Sequence, residues 1–183
     1  MKIELPTPSS VRKLQRKLYL KSKAEKKFCF YSLYDKVCRL DILKEAWKQV
    51  RTNKGACGVD GETVEMIETS GAESFLKQLQ KELISKTYQP QSVKRVWIPK
   101  ADGSQRPLGI PTVKDRVVQS AVKIVIEPIF EADLEPNVYG YRPKRSALDA
   151  IQEVHELLCQ GYTDVVDADL SKYFDTIPHK DLM

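Results

Sequence analysis

The stretch from Val93 to Pro111 places the strongest constraint on the fold, because it predicts a β-hairpin at the edge of a sheet. Residues 93–100 form an extended run, residues 101–104 contain the Asp-Gly pair typical of a tight turn, and residues 105–111 return. Prolines at positions 99, 107 and 111 lack a backbone N–H and argue against a central strand. Lys100 and Arg106 flank the turn, which indicates either solvated charges at a hairpin tip or a two-pronged cationic clamp on a triphosphate.

Two helices are predicted between residue 40 and this hairpin from apolar residues at helical spacing. The first spans Leu40–Val50, and Asp41 is its expected N-cap. The second follows the sequence Ser70-x-x-Glu73, which predicts a capping box.

Two further helices are predicted after the hairpin. Thr112 is the expected N-cap of one, which Pro128 should bend or end. Ser146-x-x-Asp149 predicts a capping box for the other, which Gly161 should end. Its apolar side chains are expected to face inward: Leu148, Ile151, Val154 and Leu158. The helices and the hairpin together predict an α+β fold.

The charge of the 183-residue chain is divided unevenly along its length. Residues 1–54 hold 15 Lys/Arg against 5 Asp/Glu, a net charge of +10. Residues 55–183 hold 15 Lys/Arg against 20 Asp/Glu, a net charge of −5. The basic part predicts a polyanionic partner, a requirement that nucleic acid meets.

The segment Val11–Lys27 concentrates this positive charge, with eight Lys/Arg residues against Glu25 alone. Val11, Leu14 and Leu18 recur at helical spacing, so an amphipathic helix is predicted. One interpretation is a solvated surface helix. We favour a helix that faces RNA, because clustered cations repel one another unless phosphates neutralise them. Binding to a membrane surface is the weaker alternative, since Tyr19 is the lone aromatic anchor.

Composition argues against a membrane span and against a zinc site. No apolar run approaches the roughly 20 residues that a membrane span needs, so no membrane partner is expected. The four cysteines are scattered without a Cys-x-x-Cys pair, and free thiols fit a reducing cytoplasm.

Two carboxylates follow a β-branched pair near the end of the chain. Val165 and Val166 predict a buried strand, in which Asp167 and Asp169 would point to the same side, roughly 6.5–7 Å apart. One interpretation is that one aspartate caps the following helix while the other faces water. The other is a metal-binding edge, because hard oxygen ligands suit Mg²⁺.

Two loops also carry features of interest. Asn53–Gly61 contains three glycines in seven residues, which predicts a plain turn or a loop that cradles phosphate, although the P-loop pattern is absent. Tyr139–Arg145 is a basic loop that contains aromatic residues.

Four blocks in this order resemble the reverse transcriptases that group II introns encode. They are the loop 53–61, the segment 98–119, the segment 140–151, and the stretch 164–179, which resembles motif A of reverse transcriptases. The blocks extend over about residues 40–183 and are more specific together than any one alone.

The resemblance implies the fingers of a right-hand polymerase, made of helices and an antiparallel hairpin, with the first part of the palm. The implied divisions are a basic RNA-binding extension over residues 1–39, fingers over 40–160, and the start of the palm over 161–183. The implied partners are template RNA, intron RNA, a DNA or RNA primer and deoxynucleoside triphosphates; a homodimer is left open. A bacterial-type cytoplasmic location is expected, with an organellar origin as the alternative.

The resemblance also implies roles for individual residues. Asp169 would be the catalytic aspartate that bridges two Mg²⁺ ions, about 3.5–4 Å apart, with the backbone carbonyl of Leu170 as a further ligand. Phe174 would exclude a ribose 2′-hydroxyl, and Asp167 would be a neighbouring carboxylate. Nucleotide contacts are expected from Lys100, Arg106 and Arg116. RNA or template contacts are expected from Arg12, Lys13, Arg16, Lys17, Lys54, Gly55, Arg142, Lys144 and Arg145.

The second acidic motif of the family, Tyr-x-Asp-Asp, has no counterpart, because the chain contains no Asp-Asp pair. We therefore expect either a fragment of a longer enzyme or a truncated product, and in both cases a chain that lacks polymerase activity by itself. Two alternatives remain open: a non-catalytic RNA-binding maturase fragment, and a related defence or CRISPR-associated reverse transcriptase.

Overall fold

The computed structural model of the chain describes residues 7–99, 103–170 and 173–182. The chain divides into two compact units, Met1–Leu134 and Glu135–Met183. The helices and strands of the first unit are α1 (Ser9–Ala24), α2 (Tyr34–Val37), α3 (Leu40–Asn53), α4 (Val64–Ser70), α5 (Ala72–Ile84), β1 (Lys94–Pro99), β2 (Gln105–Ile110) and α6 (Val113–Glu131). Those of the second unit are α7 (Ala147–Cys159), α8 (Tyr173–Thr176) and α9 (His179–Leu182). The predicted combination of helices with an antiparallel hairpin is confirmed.

The core of the first unit lies where α3 packs against α6 on one side and α5 on the other. Its largest fully buried side chains include Ile42, Leu43, Leu79, Leu83 and Val117. Burial of each such side chain contributes about 1.5–3 kcal/mol to folding, so this three-helix contact is the main source of stability.

Helix α1 joins the same core through its apolar stripe. Val11 and Leu18 are buried, and α1 packs along α6. Three side chains of α1 also donate to backbone carbonyls in the second half of α6 and at its C-cap: Gln15 to Ile124 at 3.2 Å, Ser22 to Ile129 at 3.2 Å, and Lys23 to Ala132 at 3.1 Å. These bonds fix the register of α1 on α6, so the basic segment has a defined orientation on the first unit.

Two predicted helix caps are wrong, although α3 begins at Leu40 as expected. Helix α3 begins at Leu40 after Arg39, and Asp41 lies in its first turn, where it pairs with Arg39. Ser70 is the last residue of α4, and Gly71, at φ +107°, separates α4 from α5 without a side-chain cap. A glycine adopts this conformation without a steric penalty, so the break between the two helices falls at Gly71.

The predicted hairpin is confirmed. Strands β1 and β2 pair antiparallel from Lys94 opposite Ile110 to Pro99 opposite Gln105. The turn residues 100–102, and with them Lys100, lie outside the described residues. Within the described ranges, β1 and β2 form a two-stranded sheet of their own, which explains how the ribbon tolerates its prolines.

Helix α6 begins as predicted. The Thr112 hydroxyl accepts from the backbone N–H of Asp115, which makes Thr112 the N-cap. Pro128 lies inside the helix, which continues to Glu131. Pro128 was expected to bend or to end the helix, and the second of these effects is therefore excluded.

The second unit differs from expectation in two respects. Helix α7 has the predicted capping box of Ser146 and Asp149, but its apolar side chains are exposed, with Leu148 at 75%. The segment around Val165 and Val166 has no regular secondary structure, and these side chains are 80% and 94% exposed. A strand needs a hydrogen-bonded partner, and no strand of the described part of the second unit supplies one.

No helix in the described part of the chain is long and apolar enough to cross a membrane.

Candidate nucleotide-binding and nucleic-acid-binding sites

Arg106 is the part of the predicted triphosphate clamp that the structure describes. It lies on β2 opposite Ile98, close to the turn, and it is exposed. The strand pairing fixes its backbone, so the guanidinium extends from a defined point of the ribbon. A planar guanidinium on such a support can bind phosphate oxygens through two parallel hydrogen bonds.

The base of the hairpin is attached to α6 through Asp115, a residue whose role the sequence patterns did not reveal. The carboxylate is 3% exposed and accepts hydrogen bonds from three donors: the Tyr88 hydroxyl at 2.5 Å, the Thr112 hydroxyl at 2.7 Å and the Gln91 backbone N–H at 3.2 Å. Gln91 precedes β1, so this network fixes one end of the ribbon. Burial and the hydrogen bond to Asp115 raise the pKa of Tyr88 above its usual value.

Arg116 supports the glycine-containing loop 54–61. Its Nη2 donates to the backbone carbonyl of Ala56 at 2.6 Å, and its Nε is buried without a hydrogen-bond partner among the described residues. Gly55 lies so close that a Cβ added there would be 2.2 Å from Arg116 Nη1. The structure therefore brings together Arg116, expected to contact nucleotide, and Gly55, expected to contact template.

Lys54 ends α3 in the left-handed conformation, at φ 43°. Its side chain is exposed, as expected for a residue that contacts nucleic acid. Gly58, farther along the loop, lies against the backbone of Thr112, where an added Cβ would be 2.6 Å from the Thr112 Cα. The loop is thus held at two points by the first turns of α6.

The basic face of α1 is open to solvent. Arg12, Lys13, Arg16 and Lys17 are exposed, and none forms an ion pair with another described residue. Lys21 differs, because it pairs with Glu25 and lies 4.2 Å from the centre of the Phe28 ring. The four unpaired cations form a continuous positive surface at i, i+1, i+4 and i+5 of the helix.

The basic loop 139–145 uses part of its charge to hold its own conformation. Arg142 Nη1 donates to the carbonyls of Glu135 at 2.7 Å and Val138 at 3.0 Å. Arg145 lies 5.1 Å from the centre of the Tyr139 ring. Lys144 has φ 60° and an exposed side chain. Of the three cations predicted to bind RNA here, Lys144 is the one without a described partner.

Tyr139 connects this loop to α7. Its hydroxyl donates to Glu153, and this hydrogen bond raises the pKa of Tyr139. At the start of the same helix, hydrogen bonds from the Ser146 hydroxyl and backbone N–H lower the pKa of Asp149. Asp149 therefore carries its charge where the helix dipole favours it.

The predicted catalytic segment is exposed and largely irregular. Asp169 and Leu170 lie in the irregular stretch before α8, and both are exposed, as is Asp167. Phe174 lies in α8, and its side chain is outside the described part of the structure. Among the described residues, no three or more His, Cys, Asp or Glu side chains are grouped as a metal ion would require. The carboxylates supply the hard oxygens that suit Mg²⁺, but they do not form a complete site there.

Comparison with known proteins gives a consistent result. Residues 98–183 match the family model described as reverse transcriptase (RNA-dependent DNA polymerase). The match contains the last two residues of β1, the whole of β2 with Arg106, and the segment with Asp169.

Three curated proteins are similar over most of the chain. Protein YkfC of Escherichia coli K12 is 39% identical over 179 residues, which is 94% of this chain and 47% of that protein. Group II intron-encoded protein LtrA of Lactococcus lactis is 34% identical over 157 residues, 84% of this chain and 25% of that protein. The putative COX1/OXI3 intron 2 protein of Saccharomyces cerevisiae is 30% identical over 148 residues, 78% of this chain and 16% of that protein.

The chain thus spans about half, or less, of the length of these relatives. The family match and the intron-encoded relatives agree with one another. The chain belongs to the reverse transcriptase/maturase family of group II introns.

Proposed function

We propose that this chain is part of an RNA-directed DNA polymerase, which adds deoxynucleotides to a primer 3′-hydroxyl on an RNA template and also binds intron RNA. The observation that carries the proposal is the family match over residues 98–183. In this proposal, residues 40–160 form fingers, residues 161–183 begin the palm, and residues 1–39 form an RNA-binding arm.

The hairpin is the proposed site for the triphosphate of the incoming nucleotide. Arg106 would bind phosphate oxygens as a fork, with Lys100 as a point charge beside the turn. The exposure of Arg106 next to the turn supports this role. Asp115 would act indirectly as a positioning residue, because its network attaches the base of the ribbon to α6.

Asp169 is the proposed metal-binding carboxylate, with the Leu170 carbonyl as a further oxygen ligand. When bound, two Mg²⁺ ions would stabilise the attacking and leaving oxygens of nucleotidyl transfer. Phe174 would favour deoxynucleotides by excluding a 2′-hydroxyl. These roles follow from the resemblance of the segment to motif A.

RNA would bind on α1 and at the loop 54–61. The four exposed cations of α1 lack ion-pair partners in the described structure, so phosphates can bind them without displacing a carboxylate. Lys54 would extend this contact, and Arg116 would hold the loop in place through its bond to Ala56.

Primer extension on an RNA template by the complete gene product tests the proposal. Asp169→Asn should abolish DNA synthesis, because the neutral amide cannot hold the cations, and should leave RNA affinity within about twofold of wild type, since phosphate contacts dominate that affinity. Asp167→Asn is the matched control and should retain DNA synthesis. Absence of DNA synthesis by the wild-type protein would refute the polymerase proposal.

The second candidate is an RNA-binding maturase piece without catalysis, which the exposed basic face of α1 favours. Replacement of Arg12, Lys13, Arg16 and Lys17 by Gln should lower RNA affinity steeply at low salt under either proposal. Only the polymerase proposal requires Asp169 for DNA synthesis, so the two experiments separate the candidates.

A further inference from the structure

The two faces of the β1–β2 ribbon carry different side chains. Residues directly opposite one another in an antiparallel pair lie on the same face. Trp97 is opposite Pro107, and Arg95 is opposite Gly109, so these four residues share one face, which we call the Trp97 face. Arg106 is opposite Ile98 and therefore lies on the other face. The Trp97 face is separate from the proposed triphosphate site.

Trp97 is unusually exposed for its size. It is 54% exposed, whereas Trp47, the other tryptophan of the chain, is 7% exposed in the core. An indole that stays in contact with water does not contribute the large stabilisation that its burial would give. The neighbours on its face, Arg95, Pro107 and Gly109, are exposed as well. More than half of the Trp97 surface is therefore open to solvent.

The chemistry of the Trp97 face fits a single-stranded nucleic acid. Pro107, directly opposite Trp97, has a short ring, so a planar base can approach the indole. Gly109 instead accommodates the side chain of Val93, whose Cγ2 would lie 2.8 Å from an added Cβ. Arg95 lies two residues away on the same face, roughly 6.5–7 Å along the strand, where it can bind a phosphate. Arg95 is the cation of this face, because Lys94 and Arg106 lie on the other face, and the described hairpin, residues 94–99 and 103–110, contains no Asp or Glu. A cation beside an exposed aromatic ring matches the way in which single strands are bound through stacking and phosphate contacts.

We propose that the Trp97 face binds single-stranded RNA by stacking a base on the indole of Trp97 and by pairing a phosphate with Arg95. This inference rests on the proposed RNA-binding function and adds a binding surface to it. The ribbon would then contact nucleotide phosphates with one face and an RNA strand with the other. A second copy of this chain and a partner protein are the competing occupants.

The test uses the 183-residue chain and a 12-nucleotide, 5′-labelled single-stranded RNA, with affinity measured by fluorescence anisotropy and stacking by quenching of tryptophan emission. Trp97→Ala should weaken binding about tenfold and remove most of the quenching, because one stacked base is lost. Trp97→Phe should restore much of the affinity. Arg95→Gln should reduce the slope of log affinity against log salt by about one.

Met66→Ala is the matched control, because Met66 is a large apolar side chain of similar exposure, 57%, on α4. It should change RNA affinity by less than twofold. The midpoint of thermal unfolding should be unchanged in all variants, since the side chains of Arg95, Trp97 and Met66 are all exposed.

Three outcomes would overturn the inference. The wild-type chain does not bind the RNA, or the Trp97→Ala variant binds it as tightly as wild type does. In the third, the only effect of Trp97→Ala is a lower mass in analytical ultracentrifugation, which would indicate that Trp97 contacts a second copy of the chain. DNA synthesis by the Asp169→Asn variant tests the polymerase proposal and does not involve the Trp97 face. An RNA-binding defect in Trp97→Ala would therefore stand even if the polymerase proposal failed.

Discussion

Asp115 shows how a single buried carboxylate can attach a hairpin to a helix. Its carboxylate is removed from water, so its charge must be compensated by donors. The Tyr88 and Thr112 hydroxyls and the Gln91 backbone N–H supply them. These donors come from the segment before β1 and from the N-cap of α6. The network therefore links the proposed nucleotide-binding ribbon to the helical core.

Tyr88 should make stability sensitive to alkaline pH. Its pKa is raised above the ordinary value of 10.0 by burial first and then by its hydrogen bond to Asp115. The folded state therefore keeps this proton more tightly than the unfolded state does. The stabilisation should be complete below about pH 10 and should be lost as the pH rises from there toward the raised pKa.

Tyr88→Phe tests this expectation. At pH 8 the variant should be less stable by about 1 kcal/mol, because Asp115 loses one donor. The difference from wild type should shrink between pH 10 and pH 11.5 in urea unfolding experiments. Deprotonation of lysines affects both proteins alike, so the difference isolates the tyrosine. A gap that stays constant with pH would contradict the assignment.

The loop 54–61 requires its glycines for two different reasons. Gly58 lies against the first residues of α6, where an added Cβ would be 2.6 Å from the Cα and 2.7 Å from the N of Thr112. Gly61 has nothing within 4 Å of an added Cβ, but its φ is +71°. The first glycine therefore permits close packing, and the second permits a left-handed turn.

The two alanine substitutions should consequently differ. Gly58→Ala should lower the free energy of unfolding by about 1–3 kcal/mol and displace the loop, because the backbone of Thr112 cannot move aside as a flexible side chain could. Gly61→Ala should cost about 1 kcal/mol through backbone strain and leave the loop in place. Limited proteolysis should therefore cut Gly58→Ala faster within residues 54–61. Equal cleavage of the two variants would show that close packing does not hold the loop.

Elements with local signals could be predicted from the sequence, and those that depend on distant partners could not. The Asp-Gly turn, the Thr112 cap and the Ser146 capping box act within a few residues, and the corresponding elements formed as expected. The cap predicted at Ser70 was wrong because Ser70 ends α4, and the left-handed conformation of Gly71 separates α4 from α5. The strand expected at Val165 needs a partner strand, which no local pattern can provide.

The candidate site shows the same limit. The exposure of Arg106 beside a turn follows from the alternation of residues along a ribbon. The bond from Arg116 to Ala56 joins residues that are 60 positions apart, so no spacing rule could identify it. The Trp97 face was missed for a different reason. The alternation that places Arg95 and Trp97 on one face is visible in the sequence, but the exposure of that face depends on how the rest of the chain folds.

At the scale of the whole molecule, the two units differ in how they hold their helices. Helix α6 buries seven residues, including Val117, Ala121 and Val125, within the core of the first unit. Helix α7 buries none of its residues, and its capping box and the Tyr139–Glu153 hydrogen bond are its described supports. A helix of 13 residues without tertiary burial is only marginally stable in water, so α7 should open far more readily than α6.

Amide hydrogen exchange of the 183-residue chain tests this difference. Peptides from residues 147–159 should exchange at least about a hundredfold faster than peptides from residues 113–131, because opening α7 exposes little additional apolar surface. Ser146→Ala should accelerate exchange in α7 further by removing its N-cap, a loss of about 1 kcal/mol, and should leave α6 unchanged. Protection of α7 equal to that of α6 would contradict the expectation. It would mean that the apolar face of α7 is covered in solution, and Ile151→Ser should then destabilise the chain as a core substitution does.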